Sequence, residues 1–481
     1  MAERPDEFGG QKSERFDMDK RGSRPTWSRQ IEFTLAGVGS AVGLGNIWRF
    51  PYLCFRSGGG AFLVPYLLML VVLGIPLLHM ELTVGQYTKR GPVHALAQFC
   101  PLLKGVGIAS AAISFIMCTY YNVVITWALY YLFSSFQDPL PWESCNNTWN
   151  TPNCTDHATN GSYSSTASQE FFRYKMLQQT GGIEEAGAIR WELFLILVLA
   201  WILIYLCIFK GTQSTGKVVY VTALLPYVIL VALLINNVQL PGAKRGINFF
   251  IVPEWDKLLS VEFAMVEVMV TSLTDQSNQH LLKLFKRKEL LVLVVCGIAC
   301  LLGIPNVTQA GIYVFQLMDH YTAIVSIVFL AFFEVVGVCW LYGASRLSDN
   351  LEEMTGKRPN IFFRLCWQIV APFLITVILI SSIIQFKPAR YEGYVFPPWA
   401  QGLGWLIAMA SVIWIPLGTV HTLWVLPGSF VQKLKLSITP YALNETSKMP
   451  YYERGGSARQ PAVAVISTAV RLQDKLPNQA N

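Results

Sequence analysis

The residues with the most chemical potential lie between Ala36 and Pro51, where Gly37, Gly39, Gly43 and Gly45 precede Asn46 and Arg49 in an otherwise apolar stretch. Glycine weakens a helix and bares its backbone. Clustered at mid-membrane, it serves one of two ends: close approach of a neighbouring helix, or a locally opened backbone lining a cavity. Opened carbonyls replace the water of a sodium ion, and freed amide N–H groups hold a carboxylate. Asn46 and Arg49, polar groups inside or beside the membrane, favour the second use. No comparable constellation points to catalysis. His79, His94, His157, His280, His320 and His421 show no metal-ligand spacing, and no nucleophile–base pair is legible, so the sequence argues for no enzyme and no resident cofactor.

The elements that position these residues are membrane helices. Of 481 residues, 53% are hydrophobic and 14% charged, too few polar groups to cover a soluble protein of this length. Apolar runs near the ~20 residues that cross hydrocarbon recur at 30–52, 62–86, 104–135, 191–209, 218–240, 290–304, 322–344, 366–386 and 403–426. Residues 1–29 are polar and read as a cytoplasmic tail without a cleavable signal, 30–426 as the transmembrane domain, and 427–481 as a second cytoplasmic tail. Although the net charge is +7, the cationic residues sit in short loops between spans, where positive-inside placement accounts for them and nucleic acid is not implied.

Orientation follows from two independent signals. Lys89-Arg90, Lys210 and Lys217, Lys283–Lys288, Lys357-Arg358, and Lys433 with Lys435 mark cytoplasmic loops. The loop 137–190 carries sequons at Asn146, Asn153 and Asn160 and falls on the opposite, extracellular side. Cys145 and Cys154 flank sequon-bearing sequence in that loop and are expected to form a disulfide, whereas the other eight cysteines lie in or beside apolar runs as small hydrophobes. Two further sequons, at Asn306 and Asn444, are expected to stay unmodified because of membrane proximity and cytoplasmic location.

Ser40-Ala-Val-Gly-Leu-Gly-Asn-Ile-Trp-Arg-Phe-Pro-Tyr52 followed by Gly58-Gly-Gly-Ala-Phe-Leu-Val-Pro-Tyr66 resembles the signature of the neurotransmitter:sodium symporter (solute carrier 6) family. The likeness runs from about Arg24 to Leu426 and includes Met80-Glu-Leu, Gly85-Gln-Tyr, Tyr120-Tyr-Asn, Gly311-Ile-Tyr-Val-Phe-Gln and Trp340-Leu-Tyr-Gly. It implies an all-α integral membrane protein with the inverted-repeat symporter fold of twelve helices, co-transporting Na+ and Cl− with a small amino-acid-like substrate at the plasma membrane. By position it assigns Ala41 and Asn46 to one sodium site and Gly39 and Val42 to a second. Gly43, Gly45 and Tyr121 fall to the substrate carboxylate, and Tyr66 to chloride. Arg49 with Asp319 is implied as the extracellular gate and Arg24 with Asp275 as the intracellular one. Glycine at 43, where the monoamine branch has an aspartate, points to glycine, GABA, betaine or taurine.

The chain departs from this pattern after Ile251-Val-Pro-Glu-Trp255. Leu258-Leu-Ser-Val-Glu262 runs directly into Phe263–Asp275, which resembles the second half of the family's helix eight, so helices six, seven and half of eight are missing. About nine to ten membrane helices are expected in place of twelve. Ser260 and Val261 stand where an aspartate and a serine of the second sodium site belong. The crossing this leaves, Leu258–Leu273, is barely long enough and carries Glu262 and Glu267. Two expectations follow: a symporter-family protein, or a transport-incompetent short form that partners full-length protomers and is held in the endoplasmic reticulum.

Overall fold

The computed structural model describes residues 30–41, 50–155, 165–208, 212–252 and 288–440. They form a helical array: α1 (Gln30–Ala41), α2 (Phe50–Arg56), α3 (Gly60–Thr88), α4 (Pro92–Phe99), α5 (Pro101–Ser134), α6 (167–177), α7 (Trp191–Ile208), α8 (Thr212–Gln239), α9 (Ala243–Ile251), α10 (Lys288–Gly303), α11 (Gly311–Thr355), α12 (Ile361–Ile384), α13 (Pro398–Val425) and α14 (Phe430–Ile438). Two short pairs supply the only strands among the described residues: β1 (Cys154–Thr155) parallel to β2 (Ser165–Thr166), and β3 (Arg390–Tyr391) antiparallel to β4 (Tyr394–Val395). Seven of these helices are long and apolar enough to cross a membrane, or eight if α8 and α9, bent by 110° at their junction, count as one.

These helices match the expected spans closely, with one difference of length. The apolar run at 322–344 lies within a helical stretch that extends from Gly311 to Thr355 and is interrupted at Gly343, whose φ is 104°. Polar residues such as Gln316, Asp319, Arg346 and Asp349 hide the ends of this helix from a hydropathy reading, but its backbone bonds do not depend on side-chain polarity. Gly356, in the left-handed region at φ 71°, stops it. The locally opened backbone read from the glycines of the first span, expected over about Ser40–Gly45, is also corrected in part. Ser40 and Ala41 are helical, held in the last turn of α1, while residues 42–49 and the weak crossing 258–273 lie outside the described residues.

α5 is the hub. Its buried face carries Gly105, Val106, Ala109, Ile113, Tyr120 and Trp127, and α4, α7, α10, α11 and α13 pack around it. Lipid tails are as apolar as leucine, so such packing depends on close fit and hydrogen bonds. The fit is tightest between α5 and α13, where a Cβ on Gly105 would lie 2.3 Å from the Trp414 carbonyl oxygen. The adjoining hydrogen bond runs from the Thr422 hydroxyl to the Pro101 carbonyl at 3.2 Å. On α12 the fully buried Trp367 donates its indole N–H to the Pro76 carbonyl at 2.8 Å, fastening that helix to α3.

Against this hub, α8 is anomalous. From Leu224 to Leu240 every residue except Pro226 is exposed, so this part of the helix shows no buried stripe on any side. α7, of comparable apolarity, buries Leu193, Leu197, Ala200 and Trp201 along one face. Beyond α8, α9 turns back onto α3: a Cβ on Gly59 or Gly60 would fall 2.6 or 2.5 Å from the carbonyl oxygens of Phe249 and Phe250. Gly58 and Gly59 also hold positive φ angles of 89° and 62°, so the glycine run of the signature is required both by its own turn and by its neighbour.

Candidate functional site

The described members of the candidate site come from three helices. Gly39 is half-buried in α1, which packs against α8, and Ala41 is its last residue. Tyr66, on α3, is half-buried beside Phe50 at a ring separation of 4.9 Å and Phe62 at 5.9 Å. With Leu53 and Cys54 these rings make a small apolar cluster apart from the main core. Tyr121, on α5, packs instead against the main core, edge-on to Tyr120 at 6.5 Å. Tyr120 in turn meets Phe315 of α11 at 5.7 Å. The implied chloride and carboxylate ligands Tyr66 and Tyr121 thus sit in separate clusters. Val42, Gly43, Gly45, Asn46, Arg49, Arg24 and Asp275 lie outside the described residues, so each implied gate has at least one member there.

Asp319, the described half of the implied extracellular gate, is half-buried near the N-terminal end of α11. Its neighbours bind that end to the segment between α12 and α13 and to the start of α13. His320 Nε2 lies 3.0 Å from the Lys387 carbonyl oxygen, and the Tyr321 hydroxyl donates to Gln401 Oε1 at 2.6 Å. Tyr313 does the same for the large loop: its hydroxyl donates to the Thr180 carbonyl at 2.9 Å, and its ring packs 4.9 Å from Tyr394. The N-terminal part of α11 is therefore clamped from two sides.

In the long loop between α5 and α7, Cys145 and Cys154 are joined as expected, with Cα atoms 5.7 Å apart. Asn146 and Asn153 are exposed, as a glycosylation acceptor must be, while Asn160 lies outside the described residues. Asn306 is fully buried, which agrees with its expected lack of modification, and Asn444 is outside the described residues. Sequence reading missed Glu170. Its buried carboxylate accepts the Thr151 backbone N–H at 2.7 Å, the Asn150 amide at 3.1 Å, and the hydroxyls of Thr151 and Ser165. Burial would push this carboxyl up; the bonds from Ser165, Thr151 and Asn150 outweigh it and hold the group below its ordinary value. Nothing local marks the residue except that it is an acid in a Ser/Thr/Asn-rich loop.

The model of the sodium:neurotransmitter symporter family matches residues 24–263 and 259–426. The chain belongs to the sodium:neurotransmitter symporter family. This membership makes it a helical membrane transporter relative and not an enzyme. The two matched stretches meet at 259–263, where the order of motifs breaks. Among its relatives, a sodium- and chloride-dependent GABA transporter of Drosophila melanogaster is 37% identical, over 81% of this chain and 54% of the relative. The chain thus spans about half of that relative's length. A sodium- and chloride-dependent taurine transporter of Bos taurus is 33% identical over 92% of this chain and 93% of its own length. A human sodium- and chloride-dependent GABA transporter 2 is 34% identical over 89% and 91%. The taurine-transporter alignment runs to 579 positions, more than the 481 residues present here, so many residues of that relative have no counterpart in this symporter-family chain.

Proposed function

We propose that this chain carries the substrate end of a sodium- and chloride-coupled symporter for a small amino acid or related osmolyte, of the glycine, GABA, betaine and taurine class, and that alone it completes no transport cycle. The observation that carries the second half is the exposure of residues 224–240 of α8. A helix of a complete bundle buries one face, and here residues 224–240 bury none. The family match broken at 259–263 supports the same reading. A sodium ion at mid-membrane needs a nearly complete cage of oxygens, since each missing ligand leaves desolvation uncompensated. Gly39, Ala41, Val42 and Asn46 supply one wall of that cage. The opposing wall is implied on the missing helices, and Tyr66 alone remains for chloride. Glycine at position 43 leaves room for a carboxylate and supports the amino-acid class.

A second reading rests on the same helix. A chain with intact α3, α5 and α11 and an unclothed α8 is suited to associate with full-length protomers and to be held with them in the endoplasmic reticulum. Uptake of radiolabelled glycine, GABA, betaine and taurine, with and without sodium, tests the first reading alongside surface biotinylation. The expected result is uptake equal to mock-transfected cells. Saturable sodium-dependent uptake would overturn it. Co-expression with a full-length relative tests the second: reduced surface delivery of the relative is expected, and unchanged delivery rejects it.

A further inference from the structure

We propose that α14, the short helix after the last span, is an interfacial anchor that lays its exposed apolar stripe into the cytoplasmic leaflet and uses two flanking lysines to select anionic lipid headgroups. α13 ends at Val425, and Pro427 with Gly428, whose φ is 110°, turns the chain sharply. Ser429 and Gln432 then start α14 with a reciprocal capping box, so the new helix direction is fixed within four residues of the span. Trp424, 80% exposed on the last turn of α13, has the character of an aromatic that marks a membrane boundary. Phe430 and Val431 follow it by six and seven residues across a tight turn, which keeps them near the same level.

The sidedness of α14 supplies the rest. At 100° per residue, Phe430, Val431, Leu434 and Ile438 share one face, and Phe430 and Val431 are 69% and 73% exposed. Burial sets in toward the C-terminal end of α14. Ser437 is fully buried, its carbonyl oxygen accepts the Cys100 thiol at 3.4 Å, and α14 rests on Pro101–Leu103. The exposed members of the stripe, Phe430, Val431 and Leu434, lie on the N-terminal part of α14, away from the buried Ser437 along the helix rather than across it. Lys433 and Lys435 lie on the two flanks of the stripe, where their stems extend along the apolar surface and their ammonium groups reach the headgroups. An apolar stripe between two cations, next to a span exit on the positive side, complements a leaflet carrying negative headgroups.

The test uses the full chain in nanodiscs of phosphatidylcholine, with or without phosphatidylserine, carrying an environment-sensitive fluorophore at Val431→Cys, Leu434→Cys or the exposed control Lys357→Cys, each corrected for label on wild type. Blue-shifted emission and quenching by nitroxide-bearing lipid are expected at 431 and 434 and not at 357, strengthened by phosphatidylserine. Replacing Lys433 and Lys435 by glutamine should weaken the phosphatidylserine-dependent part about fivefold per lysine, the size of one charge in the field of an anionic leaflet. Water-like emission at both stripe positions overturns the proposal. So does a shielded probe that lipid nitroxide does not quench, because protein, whether residues 441–481 or a partner, would then cover the stripe. Equal quenching with and without phosphatidylserine overturns the lysine selection. Two independent stripe positions keep the result readable if one variant misfolds.

Discussion

The carboxylate of Glu170 accepts the backbone N–H of Thr151 at 2.7 Å, across 19 residues of the loop between α5 and α7, and through Asn150 it reaches the edge of the disulfide at Cys154. One buried charge thus organises the segment between α5 and α7. The group titrates below its ordinary value, so its stabilising effect is fully present above the unfolded carboxyl value and is lost as pH falls through the lower, folded value. Protease resistance of the loop should therefore be constant from neutral pH down to about 5 and decline below about 4.5. Glu170→Ala, which strands the Thr151 and Asn150 donors, should cost ~2–5 kcal/mol of loop stability and remove that decline. Limited proteolysis across a pH series measures both, and a wild-type profile flat down to pH ~3 contradicts the assignment.

Thiol counting checks the disulfide. Folded, unreduced protein denatured in the presence of label should yield the eight free cysteines, and reduction should add Cys145 and Cys154. Cys145→Ser should weaken the loop by ~2.5 kcal/mol, the chain-entropy value for a closure of this short length. Labelling of all ten without reductant would exclude the bond.

The meeting of α5 and α13 predicts an asymmetric response to one methyl group. Gly105→Ala places its Cβ 2.3 Å from the Trp414 carbonyl and 2.7 Å from that of Ile415, so backbone must move. A loss of ~1–3 kcal/mol is expected, read as a lower unfolding temperature in detergent. Gly402→Ala, on the same helix α13 with nothing within 4 Å of the added carbon, should be neutral or slightly stabilising. Equal effects at both positions would contradict the close crossing.

Docking of α9 on α3 makes a fourth prediction. Gly60→Ala would set its Cβ 2.5 Å from the Phe250 carbonyl oxygen and so should lift α9 from its seat. Cysteine at Phe250 should then react several-fold faster with an aqueous maleimide in the Gly60→Ala background than beside native Gly60. An unchanged rate would show that the contact is not held in solution.

Much of this architecture was legible because hydropathy and charge act locally. The apolar segments and the Cys145–Cys154 disulfide follow from runs of residues and the loops between them, each read without reference to any distant part of the chain. The break after Trp255 was equally legible, since the order of motifs is a property of the sequence alone. Tertiary structure decided what depends on two distant residues meeting. That Gly105 faces Gly418, that Trp367 hangs from the Pro76 carbonyl, that Glu170 is the buried organiser of its loop, and that Asn306 is sealed away are outcomes of packing between segments far apart in sequence. The bareness of α8 belongs with them. The apolar sequence of α8 is that of an ordinary span, and only the arrangement of the other helices determines whether any of them covers it.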